Sequence, residues 1–463
     1  MIRYRFAFLC LAALLTACGG GGGGGDGVVP AACSVNEQKL FVRDATNEWY
    51  LFPDLLPAQV NVGNFDTPQQ VLDYMTAAAR AQGKDRYFSY VTTKDADSSF
   101  LQEGQFIGFG FRLRIDGSRA FFMEAFENSP ASEAAMSRGA ELLAIDSGSG
   151  FVSIANILPG DPGLSNALGP AEVGVVRGFR FSTAGVVTEA SLTKRVLTIQ
   201  PIPDDGVAVV NLPAPYNTSV KVGYINLRTY ITTAETPLRD AFLGFRNQGI
   251  NYFIVDLRYN GGGLISISDL MGDLFGRQRT NGEVYSRLSF RASKASNDVT
   301  HFFRPQPQSV DPVRIAFITT GGSASASEMT VNAMKPWAEV AIVGSDTYGK
   351  PVGQSAFDLS DRCDLRLRLV TFRGTNRDGE GDYYDGLAST LPFACAAGDD
   401  LSRPMGDPAE DSTEEALRWL GSGACSSVIA GVPAAQKPGI QVESRYPVPD
   451  HPTPAQVHLP GLY

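Results

Sequence analysis

Histidine is scarce in this sequence: 463 residues contain three, His301, His451 and His458. Two of these lie in a Pro-rich tail, so a Ser–His–Asp relay is poorly supplied and rests on His301 alone. Cysteine is also sparse, at six, with no CxxC pair and no Cys/His cluster, which argues against structural zinc. No long run of one charge sign occurs and the formal net charge is −10. A phosphate backbone would meet no basic stripe here, so nucleic acid is not an expected partner. The apolar run from Phe6 to Leu15 is too short for a permanent membrane span, and with Arg3 and Arg5 before it, it reads as an export signal. What the chain does have is 43% hydrophobic content, enough for a sizeable core and, at this length, two or three domains.

The end of the export signal, Leu15-Thr16-Ala17-Cys18, resembles a bacterial lipobox, which implies removal of residues 1–17 and a lipid on Cys18. Seven consecutive glycines follow, Gly19 to Gly25. Such a run loses too much backbone entropy to fold and suits a tether, here residues 18–34. The expected location is the bacterial cell envelope, facing the periplasm or the surface, with the lipid as the only membrane attachment. Beyond Cys10 and Cys18, the body keeps Cys33, Cys363, Cys395 and Cys425, for which three pairings are open in an exported chain. We expect Cys363 with Cys395, leaving Cys33 and Cys425 to join the ends.

Along the body, 35–100 reads as a helical unit, because Leu40, Val42, Trp49, Tyr50 and then Val71, Leu72, Tyr74, Met75 recur at helical spacing. Residues 101–200 are strand-rich, with Phe106–Leu113, Ala120–Phe126 and Glu141–Ile145 broken by turn residues, and a short helix opened by Ser129-Pro130. The stretch from Gly150 to Leu192 looks loop-like. In 201–420, apolar strands (Val222–Leu227, Tyr252–Leu257, Ile315–Thr319, Val340–Val343) alternate with amphipathic helices, which predicts an α/β core with largely parallel strands. Residues 421–463 are rich in Pro, Gly and Ala and predict little beyond loop.

The chemistry concentrates after the strand ending at Thr319. There Gly321-Gly322-Ser323-Ala324-Ser325-Ala326-Ser327-Glu328 runs through a small-residue turn into a helix. Small residues admit a substrate carbonyl, and the first N–H groups of a helix favour a developing oxyanion. A serine there needs a base. Lys350, after the next apolar strand, supplies one if burial lowers its pKa.

The triplet Ser323-Ala324-Ser325-Ala326-Ser327-Glu328, followed by Tyr348-Gly349-Lys350 and Gln354, resembles the active-site signature of the carboxyl-terminal processing (tail-specific) peptidases. The resemblance makes Ser325 the nucleophile, Lys350 the base 25 residues on, and Gln354 the group that positions the lysine amine. Asp256-Leu257-Arg258-Tyr259-Asn260-Gly261-Gly262-Gly263 resembles the family's strand-and-glycine motif. This implies an oxyanion hole from the N–H of Gly263, or of Gly262, together with that of Ala326. The implied fold is an α/β protease core of the ClpP/crotonase kind with an inserted β-rich PDZ-like domain and an N-terminal helical cap. No metal or organic cofactor is implied.

The PDZ likeness rests on Gly108-Phe109-Gly110-Phe111, Glu124 to Ala131 and Arg138 to Asp146. It implies a carboxylate-binding loop at Phe106, Ile107, Gly108, Phe109 and Gly110, and protein or peptide substrates with exposed C-termini. This sequence departs from the family at Pro336, where many relatives carry an acidic residue. The acidic stretch 376–385 has only a faint calcium-loop look and reads as a solvated loop. The rival expectation is a catalytically silent peptide-binding lipoprotein of the same fold.

Overall fold

The computed structural model describes residues 33–160, 163–429, 446–449 and 451–463. The expected export signal, Cys18 and the glycine run Gly19 to Gly25 lie outside the described residues. Among those described, no helix is long and apolar enough to cross a membrane.

The centre is a six-stranded sheet. In spatial order its strands are Val207–Asn211, Lys221–Asn226, Tyr252–Asp256, Arg314–Thr319, Glu339–Gly344 and Phe393–Ala396. The first pair is antiparallel and the other four pairings are parallel. The strands read as near-continuous apolar runs because both faces are covered. Ile315, Phe317, Val340 and Ile342 face the helices Glu235–Asn247, Ile265–Phe275 and Ala326–Met334. The alternate residues Ala316, Ile318, Ala341 and Val343 share a second cluster with Leu417, Trp419 and Leu420 of the helix Asp411–Ser422.

The N-terminal unit is helical as expected. Ser34 caps Val35–Trp49 and Thr67 caps Pro68–Ala81, each closing a reciprocal bond with the residue three on, Glu37 and Gln70. Both helices lie on an antiparallel sheet built around the hairpin Val352–Ser360/Cys363–Thr375, with Val42, Leu72 and Met75 packed among Leu367, Leu369 and Val370.

The inserted unit has a five-strand path, Phe111–Asp116, Arg119–Ala125, Glu141–Asp146, Val176–Thr183 and Val186–Thr193. Its core is phenylalanine-rich: Phe109, Phe111, Phe122, Phe179 and Phe181 are all buried. The stretch read as loop between Gly150 and Leu192 therefore contains a regular hairpin. Its partner strand Val186–Thr193 is largely solvent-exposed, so it lacks the apolar alternation that marks a half-buried strand.

Two other expectations are corrected. The disulfides are Cys33–Cys363 and Cys395–Cys425, so the expected Cys363–Cys395 pair does not form. Cys363 opens the second strand of the hairpin on which the first helix packs, which brings it to Cys33. Cys395 lies on the edge strand of the central sheet, where the chain returns after Asp411–Ser422 to pair Val428 with Cys395. The tail is not merely loop: Thr453 caps a short helix, Pro454–His458, and Leu459, Leu462 and Tyr463 are buried.

Candidate active site

Three neighbouring parallel strands end at one edge of the central sheet, and the loops that follow them carry the predicted residues. Asp256 leads to Gly263, Thr319 to Ser325, and Gly344 to Lys350. The crevice beyond the carboxyl ends of such strands is where an open α/β sheet places a site.

Ser325 sits directly before the helix Ala326–Met334, half-buried, with φ 56° and ψ −114°. That conformation is strained for any residue with a Cβ. The flanking serines are committed elsewhere. Ser323 Oγ donates to Leu257 O at 2.7 Å and Ser327 Oγ to Asn260 O at 2.9 Å, which ties the serine turn to the glycine loop. In that loop Gly262 and Gly263 have φ +104° and +141°. A Cβ on Gly263 would lie 2.1 Å from Tyr230 O, and one on Gly262 would lie 2.9 Å from Ser325 Cβ and 3.0 Å from Ala326 N. Only glycine allows this approach. The Gly262 N–H donates to Asn260 Oδ1 at 2.9 Å, so of the two glycines weighed, Gly263 is the better placed to serve a substrate.

Lys350 is buried. Its Nζ donates to Gln354 Oε1 at 3.1 Å and lies 5.1 Å from the centre of the Phe88 ring. Burial pushes its pKa down to about 8, against the opposing pull of the Asp85 and Glu328 charges. Gln354 Nε2 in turn donates to Phe88 O.

Sequence reasoning missed how Ser325 and Lys350 are connected. The fully buried Glu328 accepts from Ser325 N at 3.0 Å, Gly349 N at 2.7 Å and Lys350 N at 2.8 Å. It also missed the part played by the N-terminal unit. Arg86 donates to Tyr348 O and Gly349 O, both at 2.7 Å, and Asp85 fixes the turn by accepting from Phe88 N and Ser89 N. The signal was a charged pair, Asp85-Arg86, next to two aromatics.

The histidine alternative loses its ground. His301 Nε2 engages Asp273 at 3.1 Å and Nδ1 faces Asp269 at 3.5 Å. Burial opposes the charge on His301, but those carboxylates outweigh it and raise the pKa. His458 is buried and stacked on Phe100, with its pKa pushed down to about 3 by burial and by the Lys350 charge.

Of the expected carboxylate loop, Phe106, Ile107 and Gly108 are strand residues paired with Leu197, Val196 and Arg195. The Phe106 side chain is buried among Phe100, Phe126 and Leu197. Phe109 belongs to the core of the inserted unit. The outward N–H donors belong to Gly110 and Phe111. A buried ion network fastens this unit to the glycine loop. Arg258, fully buried, pairs with Asp256 and Glu410, both at 2.7 Å. Asp399 takes Arg138 at 2.8 Å, and Arg112 donates to Tyr259 O at 3.0 Å.

A strained serine at a helix N-terminus, a glycine loop and a buried lysine thus share one edge of a parallel α/β core. Residues 221–386 match the model of peptidase family S41. It is 25% identical over 271 residues to the carboxyl-terminal-processing protease of Synechocystis, covering 58% of each chain. It is also 25% identical over 286 residues to a CtpA-like serine protease of Staphylococcus saprophyticus, covering 61% of this chain and 53% of the relative. The chain thus spans little more than half the length of these relatives. A crystal structure from Bacteroides fragilis assigned to the S41 proteases superposes with a TM-score of 0.64 at 20% identity, covering 83% of this chain and 97% of that one. That likeness speaks for the fold.

Proposed function

We propose that this chain is a serine endopeptidase in which Lys350 acts as general base on Ser325, fed by a PDZ-like unit that reads C-terminal tails. Neutral Lys350 takes the Ser325 proton and the alkoxide attacks a peptide carbonyl. The N–H groups of Gly263 and Ala326 hold the tetrahedral oxyanion. Lys350 then passes its proton to the departing amine. Water, deprotonated by the same lysine, releases the acyl group. Gln354 orients the amine, and Gly110 and Phe111 receive the tail of the substrate. By its leader, the enzyme is anchored in the bacterial envelope through Cys18.

The observation that carries this reading is the double tether at Glu328, which holds the main chains of Ser325 and Lys350 on one carboxylate, beside a lysine poised near 8. The test is incubation of residues 26–463 with an unstructured peptide. Cleavage lost in both Ser325→Ala and Lys350→Ala supports the proposal. Cleavage by either variant at the parent rate removes the dyad, and no cleavage by the parent under any condition leaves peptide binding as the function.

A further inference from the structure

The strand Phe111–Asp116 is the edge of the inserted sheet, and the end of the chain is laid along it. Leu113 N donates to Gly461 O at 2.9 Å, Tyr463 N to Phe111 O at 3.0 Å, and Arg112 and Leu462 are antiparallel partners. The Tyr463 main-chain oxygen accepts from Gly110 N at 3.0 Å and Phe111 N at 3.3 Å. Gly108 lies against the same group, since a Cβ there would stand 3.0 Å from Tyr463 C. This is strand addition with the Tyr463 main-chain oxygen held on backbone donors.

The side chains match. Tyr463 is 4% exposed within the cluster of Phe109, Phe111 and Leu168, and its hydroxyl lies 3.4 Å from Ser165 Oγ. The preceding turn buries Ala455, Leu459 and Leu462 with Phe100, Phe106 and Phe126. That turn also crosses the active-site edge. Gly261 N donates to His458 O at 2.9 Å. Gln456, Val457 and Pro460 line the cavity beside Lys350 and Ala324.

We propose that Pro454–Tyr463 is the resident ligand of the chain's own peptide groove. The groove's occupant in trans is then a peptide with a large aromatic residue after an aliphatic one, and it must displace this segment to bind. The inference rests on the peptide-groove part of the proposed function and not on the dyad. A tethered ligand works at an effective concentration on the order of 1 mM. If the free peptide binds with Kd on the order of 10 μM, the tether fills about 99% of grooves and weakens a competitor about 100-fold.

The test uses the full chain in a Ser325→Ala background and a fluorescein-labelled peptide, Pro-Ala-Gln-Val-His-Leu-Pro-Gly-Leu-Tyr, followed by anisotropy. Two separate variants release the resident segment. Tyr463→Ala empties the aromatic pocket, and Gly461→Val places a Cβ 2.3 Å from Leu113 O. Both should bind the peptide at least tenfold more tightly than the parent, and the peptide with its final Tyr changed to Ala should lose at least tenfold on both. Equal affinity for parent and variants, or no binding to any of the three, overturns the proposal. Groove binding without peptidase activity would defeat the proposed catalysis and leave this inference standing. Peptidase activity without groove binding would do the reverse.

Discussion

Glu328 Oε2 accepts the backbone N–H of Lys350 at 2.8 Å while also holding that of Ser325 at 3.0 Å. Two loops 25 residues apart are thus pinned to one buried oxygen, and the second oxygen takes Gly349 N. The separation of the Ser325 and Lys350 main chains is thus set by one carboxylate, not by the reach of a flexible lysine. Arg86 and Phe88 then brace the lysine loop and Gln354 from the N-terminal unit.

Glu328→Gln must turn an amide N–H towards a backbone N–H. One buried donor loses its partner, which costs about 1–3 kcal/mol, and the loops loosen. A misplacement of about 1 Å can cost on the order of 100-fold in rate, so kcat should fall 10- to 100-fold with a smaller change in KM. Because the Glu328 charge raises the Lys350 pKa, the acid limb of the pH–rate profile should also move to lower pH. A purely structural role would leave that limb in place.

The pH dependence of the parent has a definite sign. Lys350 is a base only when neutral, and its pKa stands at about 8. Accordingly kcat/KM should rise about tenfold per pH unit up to about 7.5 and level off above about 9. A profile flat down to pH 5 would show that some other group takes the proton.

Gln354→Glu supplies the complementary experiment. It places a carboxylate where Lys350 Nζ now meets an amide oxygen at 3.1 Å, which stabilises the ammonium form. The acid limb should move above 8 and activity at pH 7 should fall at least tenfold, with partial recovery at pH 9.5. A shift in the same direction as Glu328→Gln would contradict the electrostatics argued here.

Much of this architecture was legible. The parallel strands announce themselves because both faces are buried, and the helices because Ser34 and Thr67 cap them reciprocally. That the Ser325 turn and the Lys350 loop share one edge was legible, since adjacent parallel strands deliver their following loops there. Asp85, Arg86 and Phe88 were not, because they meet Lys350 and Gln354 only through packing across more than 260 residues. The tail misled through its composition. Leu459, Leu462 and Tyr463 follow no helical or strand period of their own, because they are buried by pairing with the edge of another unit. Cysteine pairing failed for a related reason, since Cys33 reaches Cys363 only once the first helix has docked on the hairpin.

A buried lysine weakens the fold that holds it. In the unfolded chain Lys350 regains an ordinary pKa near 10.4, so between pH 8 and about 10 the unfolded state binds the proton more tightly and stability rises with pH. Below pH 8 the folded state carries the whole penalty, on the order of 3 kcal/mol for a shift of this size. Lys350→Met should therefore be inactive yet more stable by about 1–3 kcal/mol at pH 7 in denaturant melts, with the gain shrinking towards zero by pH 10. A gain independent of pH would trace to packing instead.

Ser325 carries backbone strain that can be separated from any chemistry of its hydroxyl. At φ 56° and ψ −114°, a residue with a Cβ costs about 1–3 kcal/mol, whereas glycine takes positive φ freely and loses only about 0.5–1 kcal/mol through its more flexible unfolded chain. Ser325→Ala keeps the Cβ and the strain, and Ser325→Gly releases it. Both variants should be inactive, but the glycine variant should unfold at higher denaturant, by about 1 kcal/mol relative to the alanine variant. If the two unfold together, the serine turn is not a strained one.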